Sequence, residues 1–198
     1  NHKENREPGG VKDVGSLGDC RGFLDGGVGD AHKVEEPINM TITGLHPKLI
    51  DARDSAISEL KARSLVLGMH SGLRTADQQQ TEYNKGRTVI NPDGITPEKP
   101  MGNIVTKAKP WMSWHNYGLA FDLVPKNSKG EFYWWGDADP RWADVANVCK
   151  MFGLEWGGSW ATFSGDLDHF QMKGTIPSVF QAKIILDTHG LDALWAMV

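Results

Sequence analysis

The chain has 198 residues, 39% hydrophobic and 23% charged, with a formal charge of −4 and two cysteines. That length suits one well-buried core rather than two, and the acidic balance without a dense Lys/Arg run excludes a surface built on phosphate contacts to nucleic acid. No apolar stretch approaches the roughly 20 residues needed to span a bilayer.

Residues 1 to about 36 hold eight glycines among scattered charges and almost no periodic apolar pattern, so they read as an arm or linker ahead of a folded domain over 37–198. The spacing of Asp13, Asp19, Asp25 and Asp30 matches no calcium loop. Cys20 and Cys149 leave two options open, one bridge pinning the arm to the core or two free thiols. The eight Trp exceed what packing alone recruits, and some are expected to line a cleft.

From Ile38 the texture becomes that of a folded domain. Pro47 at a first turn, followed by Leu49, Ile50, Ala56, Ile57 and Leu60, predicts a helix over roughly 47–63. Leu65–Met69 reads as a short buried strand, and Thr75 with Gln78 forms a capping-box signature for a second helix over about 76–85, stopped at Gly86. Arg74 is thereby placed between a strand end and a helix start, where a rigid scaffold presents functional side chains. The prolines and glycines of 87–112 break any long element and suggest an excursion beside the active-site mouth.

In Ser113–Asp122 and beyond, Gly118, Ala120, Asp122 and Val124 alternate with Leu119, Phe121 and Leu123, which predicts a strand with two distinct faces. Asp122 is expected to share its face with Gly118 and Ala120, small neighbours that leave room for an ion. Asn127–Gly130 predicts a turn into a partner strand over Glu131–Trp135. Asp139-Pro140 opens a helix closed by Gly153, Trp156–Trp160 reads as a tight turn, and His169–Met172 as a last short strand. Two C-terminal helices, Pro177 to about Thr188 and Leu191 to Met197, are separated by His189-Gly190. Strands and helices are segregated rather than strictly alternating, which favours an α+β fold.

His115, Asp122 and His169 form the constellation that carries chemistry. Imidazole and carboxylate suit Zn2+, and three protein ligands leave a fourth position for water, as a single catalytic ion requires. Amide hydrolysis at such a site also needs a base that is not a ligand. Asp166 is the expected base; Asp168, adjacent to His169 on a strand, is expected to point to the opposite face. Arg74 is the basic residue expected to meet a substrate carboxylate or the carbonyl oxygen, and Ser113 either hydrogen-bonds substrate or caps a turn. His2, His32, His46, His70 and His189 lack comparable company.

The pattern Ser113-x-His115-x-x-Gly118-x-Ala120-x-Asp122 with Asp166-x-x-His169 resembles the zinc peptidases of the D-alanyl-D-alanine carboxypeptidase/dipeptidase group, the M15 peptidases. It is more similar to the branch of phage endolysins and bacterial cell-wall hydrolases that cleave L-alanyl-D-glutamate bonds. Gly72–Thr75 with Gln78 and Tyr83, Gly86–Thr88, and Trp156-Gly157-Gly158-x-Trp160 extend the likeness over about Leu45–Met172. It implies a hedgehog/DD-peptidase-like fold, a small antiparallel sheet flanked by helices. It also implies zinc on His115, Asp122 and His169, the base at Asp166, a substrate-orienting role for Arg74 and a weaker contact from Ser113. Two departures stand out: Asp168 where the endolysin-like pattern usually has Pro, and Gln171 where an acid often follows the aromatic residue.

The leading expectation is a monomeric zinc endopeptidase acting outside the cytoplasm on the L-Ala–D-Glu bond of the peptidoglycan stem peptide. A D-Ala-D-Ala carboxypeptidase or dipeptidase, a non-catalytic metal-bearing module, and a metal-free hydrolase using Asp166 with another acid are the alternatives.

Overall fold

The structure, a computed structural model, describes residues 44–91, 101–160 and 165–198. The glycine-rich arm, its aspartates and Cys20 lie outside the described residues, as do 92–100 and 161–164. Cys149 is a fully buried free thiol, and burial pushes its pKa up to about 12.

Among the described residues, four helices flank a four-stranded antiparallel sheet, the α+β architecture expected. Helix α1 runs Pro47–Ala62, β1 Leu67–Ser71, α2 Ala76–Asn84, β2 Ala120–Pro125, α3 Arg141–Met151, β3 Glu155–Trp156, β4 His169–Gln171 and α4 Val179–Trp195. The sheet order is β1-β2-β4-β3. Helices α1 and α3 cover one face with Leu49, Ala56, Leu60, Val145 and Val148, packed on Phe121, Leu123 and Phe170. Because side chains alternate across a strand, Asp122 and His169 are left on the other face. A second cluster joins Trp114, Tyr117, Leu119 and Ala120 to Ile176, Ala182, Ile185, Leu186 and Leu194 around α4.

Sequence signals set most boundaries. The Thr75/Gln78 capping box forms in full, with Gln78 N donating to Thr75 Oγ1 at 3.2 Å and Thr75 N donating to Gln78 Oε1 at 2.8 Å. The break expected at His189-Gly190 is a kink within α4, where Gly190 takes φ 83°. The first strand starts two residues later than expected, because Leu65 N closes the end of α1 on Leu60 O instead of entering the sheet.

Two expectations fail. Glu131–Trp135 is not a strand: the Asn127–Gly130 turn forms, but only one bridge, Lys126 with Phe132, follows it. Of the aromatic residues that suggested a strand, Phe132, Tyr133 and Trp134 lie at the surface, Trp134 being 56% exposed, and only Trp135 enters the core beside Trp142. Gly118 is also outside β2. It closes a short 3-10 turn, Trp114–Tyr117, in the left-handed conformation with φ 67°, and a Cβ there would sit 2.3 Å from Gly44 O. Close backbone approach, not space for an ion, explains this glycine.

Candidate metal centre

The sheet register assembles the site. Asp122 on β2 pairs with His169 on β4 and, across the other edge, with Ser71 on β1. A bulge between Met69 and Ser71 shifts the phase of β1 by one residue, so Ser71 rather than His70 stands opposite Asp122. His115 reaches the same place from the 3-10 turn, which is held by Arg74 N donating to His115 O at 3.1 Å and His46 N donating to Gly118 O at 2.9 Å.

His115 Nε2 lies 3.2 Å from Asp122 Oδ1 and 3.2 Å from His169 Nδ1, and His169 Nδ1 lies 3.5 Å from the same carboxylate oxygen. Both imidazoles are buried. Their outer nitrogens are engaged: His115 Nδ1 donates to Gly72 O at 2.7 Å, and His169 Nε2 to Gln171 Oε1 at 3.0 Å. With those protons on the outer nitrogens, two lone pairs and a carboxylate oxygen converge on one point. Three acceptors at that spacing need a cation between them, so the donor set fits a metal ion and its chemistry suits zinc. Burial would depress His169, but the hydrogen bond and charge of Asp122, with Asp166 behind it, raise its pKa. Burial would likewise raise Asp122, yet the charges and hydrogen bonds of His115 and His169 hold it well below the usual carboxylate range.

The site opens into a cavity of about 910 Å³ whose lining includes Arg74, Ser113, Trp134, Trp160, Asp166 and Asp168. Asp166 is raised above the usual carboxylate value by burial and by the charge of Asp122, partly offset by His169, His115 and Arg74. Its position depends on the Gly157 turn. A Cβ on Gly157 would meet Asp166 O at 2.6 Å and His169 Cβ at 3.1 Å, so a larger residue would push the acid-bearing loop away.

Asp168 is not turned away as strand alternation suggests. It stands one residue before β4 and lines the same cavity. Burial, then the charges of Asp122 and Asp166, push its pKa up to about 6.

Arg74 is anchored on three sides. Its guanidinium donates to Gln79 Oε1 at 2.9 Å, Ser71 Oγ at 2.9 Å and Asp122 Oδ2 at 3.4 Å. Ser113 precedes the 3-10 turn without capping it through its side chain, and lines the cavity.

Sequence reasoning passed over three buried amides. Asn116 Nδ2 donates to Arg74 O at 2.8 Å and its Oδ1 accepts from Trp111 N at 3.0 Å, tying the 3-10 turn to both neighbours. Gln79, fully buried, accepts from Arg74 and donates to Ala108 O at 2.8 Å. Gln171 is the third. Only Gln171 had a signal, as a departure from the expected acid. Trp160, whose ring centroid lies 5.1 Å from that of His169, covers the site from the other side of the Gly157 turn.

A family profile described as D-alanyl-D-alanine carboxypeptidase matches residues 106–172, the stretch bearing all three ligand candidates. The peptidoglycan L-alanyl-D-glutamate endopeptidase CwlK of Bacillus subtilis (strain 168) is 31% identical over 134 residues, 65% of this chain and 73% of the relative. The chain belongs to the M15 peptidases. Two solved structures complete the comparison for this M15 peptidase. The Serratia marcescens L-Ala D-Glu endopeptidase ChiX shares 24% identity over 65% of this chain and 80% of its own, with a TM-score of 0.43. The D,D-pentapeptidase VanY from a VanB-type resistance cassette, solved as a point mutant in complex with Zn(II), shares 19% identity over 75% and 82%, with a TM-score of 0.47.

Proposed function

We propose that this M15 peptidase is a zinc endopeptidase of peptidoglycan that hydrolyses the L-Ala–D-Glu bond of the stem peptide outside the cytoplasm. The observation that carries the reading is the convergence of His115 Nε2, Asp122 Oδ1 and His169 Nδ1 beside a half-buried acid, Asp166, that is not part of the triad. The similarity to CwlK supports the choice of bond. On this reading the catalytic domain is 37–198, and among the described residues no helix is long and apolar enough to cross a membrane.

His115, Asp122 and His169 would hold the ion, which when bound polarises the scissile carbonyl and lowers the pKa of water to about 7. Asp166 takes a proton from the attacking water on its carboxylate and delivers it to the departing amide nitrogen. A carboxyl raised by burial suits a group that must hold a proton between those events. The Arg74 guanidinium, held by Gln79 and Ser71, orients a substrate carboxylate such as that of D-Glu. Ser113 offers its hydroxyl to the peptide from the cavity wall.

The matching family profile favours a second reading, cleavage of D-Ala-D-Ala with the same groups. Digestion of purified peptidoglycan with the zinc-loaded chain, followed by mass spectrometry of the new termini, separates the two. New N-terminal D-Glu is expected. Free D-alanine without it would replace the first reading by the second, and undiminished lysis after chelation would overturn the zinc mechanism itself.

A further inference from the structure

Gln171 follows His169 by two residues on β4, so both side chains leave the same face of the sheet. Its Oε1 lies 3.0 Å from His169 Nε2, and its Nε2 lies 2.9 Å from Glu155 Oε2 on the neighbouring strand β3. Glu155 and Gln171 are directly paired in the sheet register, so the contact is built into the strand pairing. Lys173 Nζ lies 3.7 Å from the other oxygen of the same carboxylate.

Hydrogen-bond chemistry gives this row one direction. An ionised carboxylate only accepts, so Glu155 requires the NH2 end of the Gln171 amide to face it. The carbonyl end then faces His169 and requires a proton on Nε2. A neutral imidazole carries only one N–H, so Nδ1 is left with the lone pair that points toward Asp122 and His115.

We propose that Glu155, acting through Gln171, is a positioning residue that fixes the His169 tautomer competent to bind metal. An acid placed directly at 171 could accept the same proton without help. With a neutral amide there, which can turn either way, the chain needs an outer group to orient it, and Glu155 is that group. The inference rests on the metal-centre reading, and outer partners of metal-bound imidazoles typically change metal affinity by about 10–100-fold.

Glu155→Gln and the exchange Glu155→Gln with Gln171→Glu test it. The Glu155 side chain is 46% exposed, so the single substitution leaves the core untouched. Zinc Kd would be measured by chelator competition on the full chain, and the His169 tautomer of the metal-free chain by nitrogen-15 NMR above its titration. Glu155→Gln is expected to weaken zinc binding about 10-fold and to admit the Nδ1–H tautomer. The exchange should recover both, because the carboxylate introduced at position 171 accepts from His169 Nε2–H while the amide introduced at position 155 donates to that carboxylate. An unchanged tautomer with Kd within two-fold of wild type in Glu155→Gln would overturn the proposal, as would an exchange no better than the single variant. Failure of the metal reading looks different, since the wild-type chain would then bind no zinc at all.

Discussion

Replacing Gly118 by alanine separates two explanations of a motif glycine, room for an ion or backbone geometry. Gly118 has φ 67° and ψ 25°, a conformation that costs an L-residue about 1–2 kcal/mol. The added Cβ would lie 2.3 Å from Gly44 O and 3.3 Å from Trp195 Cζ2. Gly44 cannot retreat freely, since His46 N, two residues on, donates to Gly118 O, and overpacking of this kind typically costs about 1–3 kcal/mol. Gly118→Ala should therefore destabilise the chain by about 2–5 kcal/mol. With a urea dependence of about 2 kcal/mol per molar, the unfolding midpoint falls by roughly 1–2.5 M. Urea unfolding followed by circular dichroism in the presence of chelator measures this without contribution from metal. Zinc affinity should fall as well, because the strained 3-10 turn carries His115. A loss under about 1 kcal/mol would refute the reasoning and show that the turn is not clamped between Gly44 and Trp195.

Asp166→Asn should lower turnover of peptidoglycan by about 10²–10⁴-fold, the usual range for losing a general acid–base, while chelator competition gives a zinc Kd within a few-fold of wild type; unaltered turnover would transfer the role to another acid, Asp168 first. His46 supplies a pH test remote from the metal. Its Nδ1 accepts from Lys48 N at 3.1 Å and its Nε2 donates to Trp195 O at 3.2 Å. Burial, helped by Lys48 and opposed by the Trp195 carbonyl, lowers its pKa below 6.5. The unfolded chain therefore binds this proton more readily than the folded one, so the stability His46 contributes is complete above about pH 6.5 and is lost as pH falls through the folded value. His46→Gln should flatten the part of the stability curve that falls away as pH drops below about 6.5 in thermal unfolding, whereas parallel curves would rule the linkage out.

The cluster of His115, Asp122 and His169, which could hold a metal, was legible because its members belong to two short segments whose residue types point to one chemistry. What the sequence could not display is how those segments meet. Asp122 and His169 are brought side by side by the pairing of β2 with β4, and Ser71 joins them only through a bulge that no residue pattern announces. The same limit explains Asp168, for which alternation was applied one residue before the strand begins. Aromatic richness misled at 131–135, because a loop that exposes Phe132, Tyr133 and Trp134 and buries only Trp135 has the same composition as a buried strand.

The groups that went unread are the amides Asn116, Gln79 and Gln171, and they share a physical reason. An amide has no charge to draw attention to it, and its value lies in donating and accepting at once. Each joins segments far apart in the chain: Asn116 reaches back 42 residues to Arg74, Gln79 forward 29 to Ala108, and Gln171 back 16 to Glu155. The Arg74 guanidinium and the His169 imidazole are thus oriented by Gln79 and Gln171, which pass hydrogen-bond direction inward from a backbone carbonyl and an outer carboxylate, while Asn116 ties together the backbone around the turn that carries His115. The part of the site that performs chemistry can be read from residue type, while the part that gives it a single geometry depends on contacts that exist only after the sheet has formed.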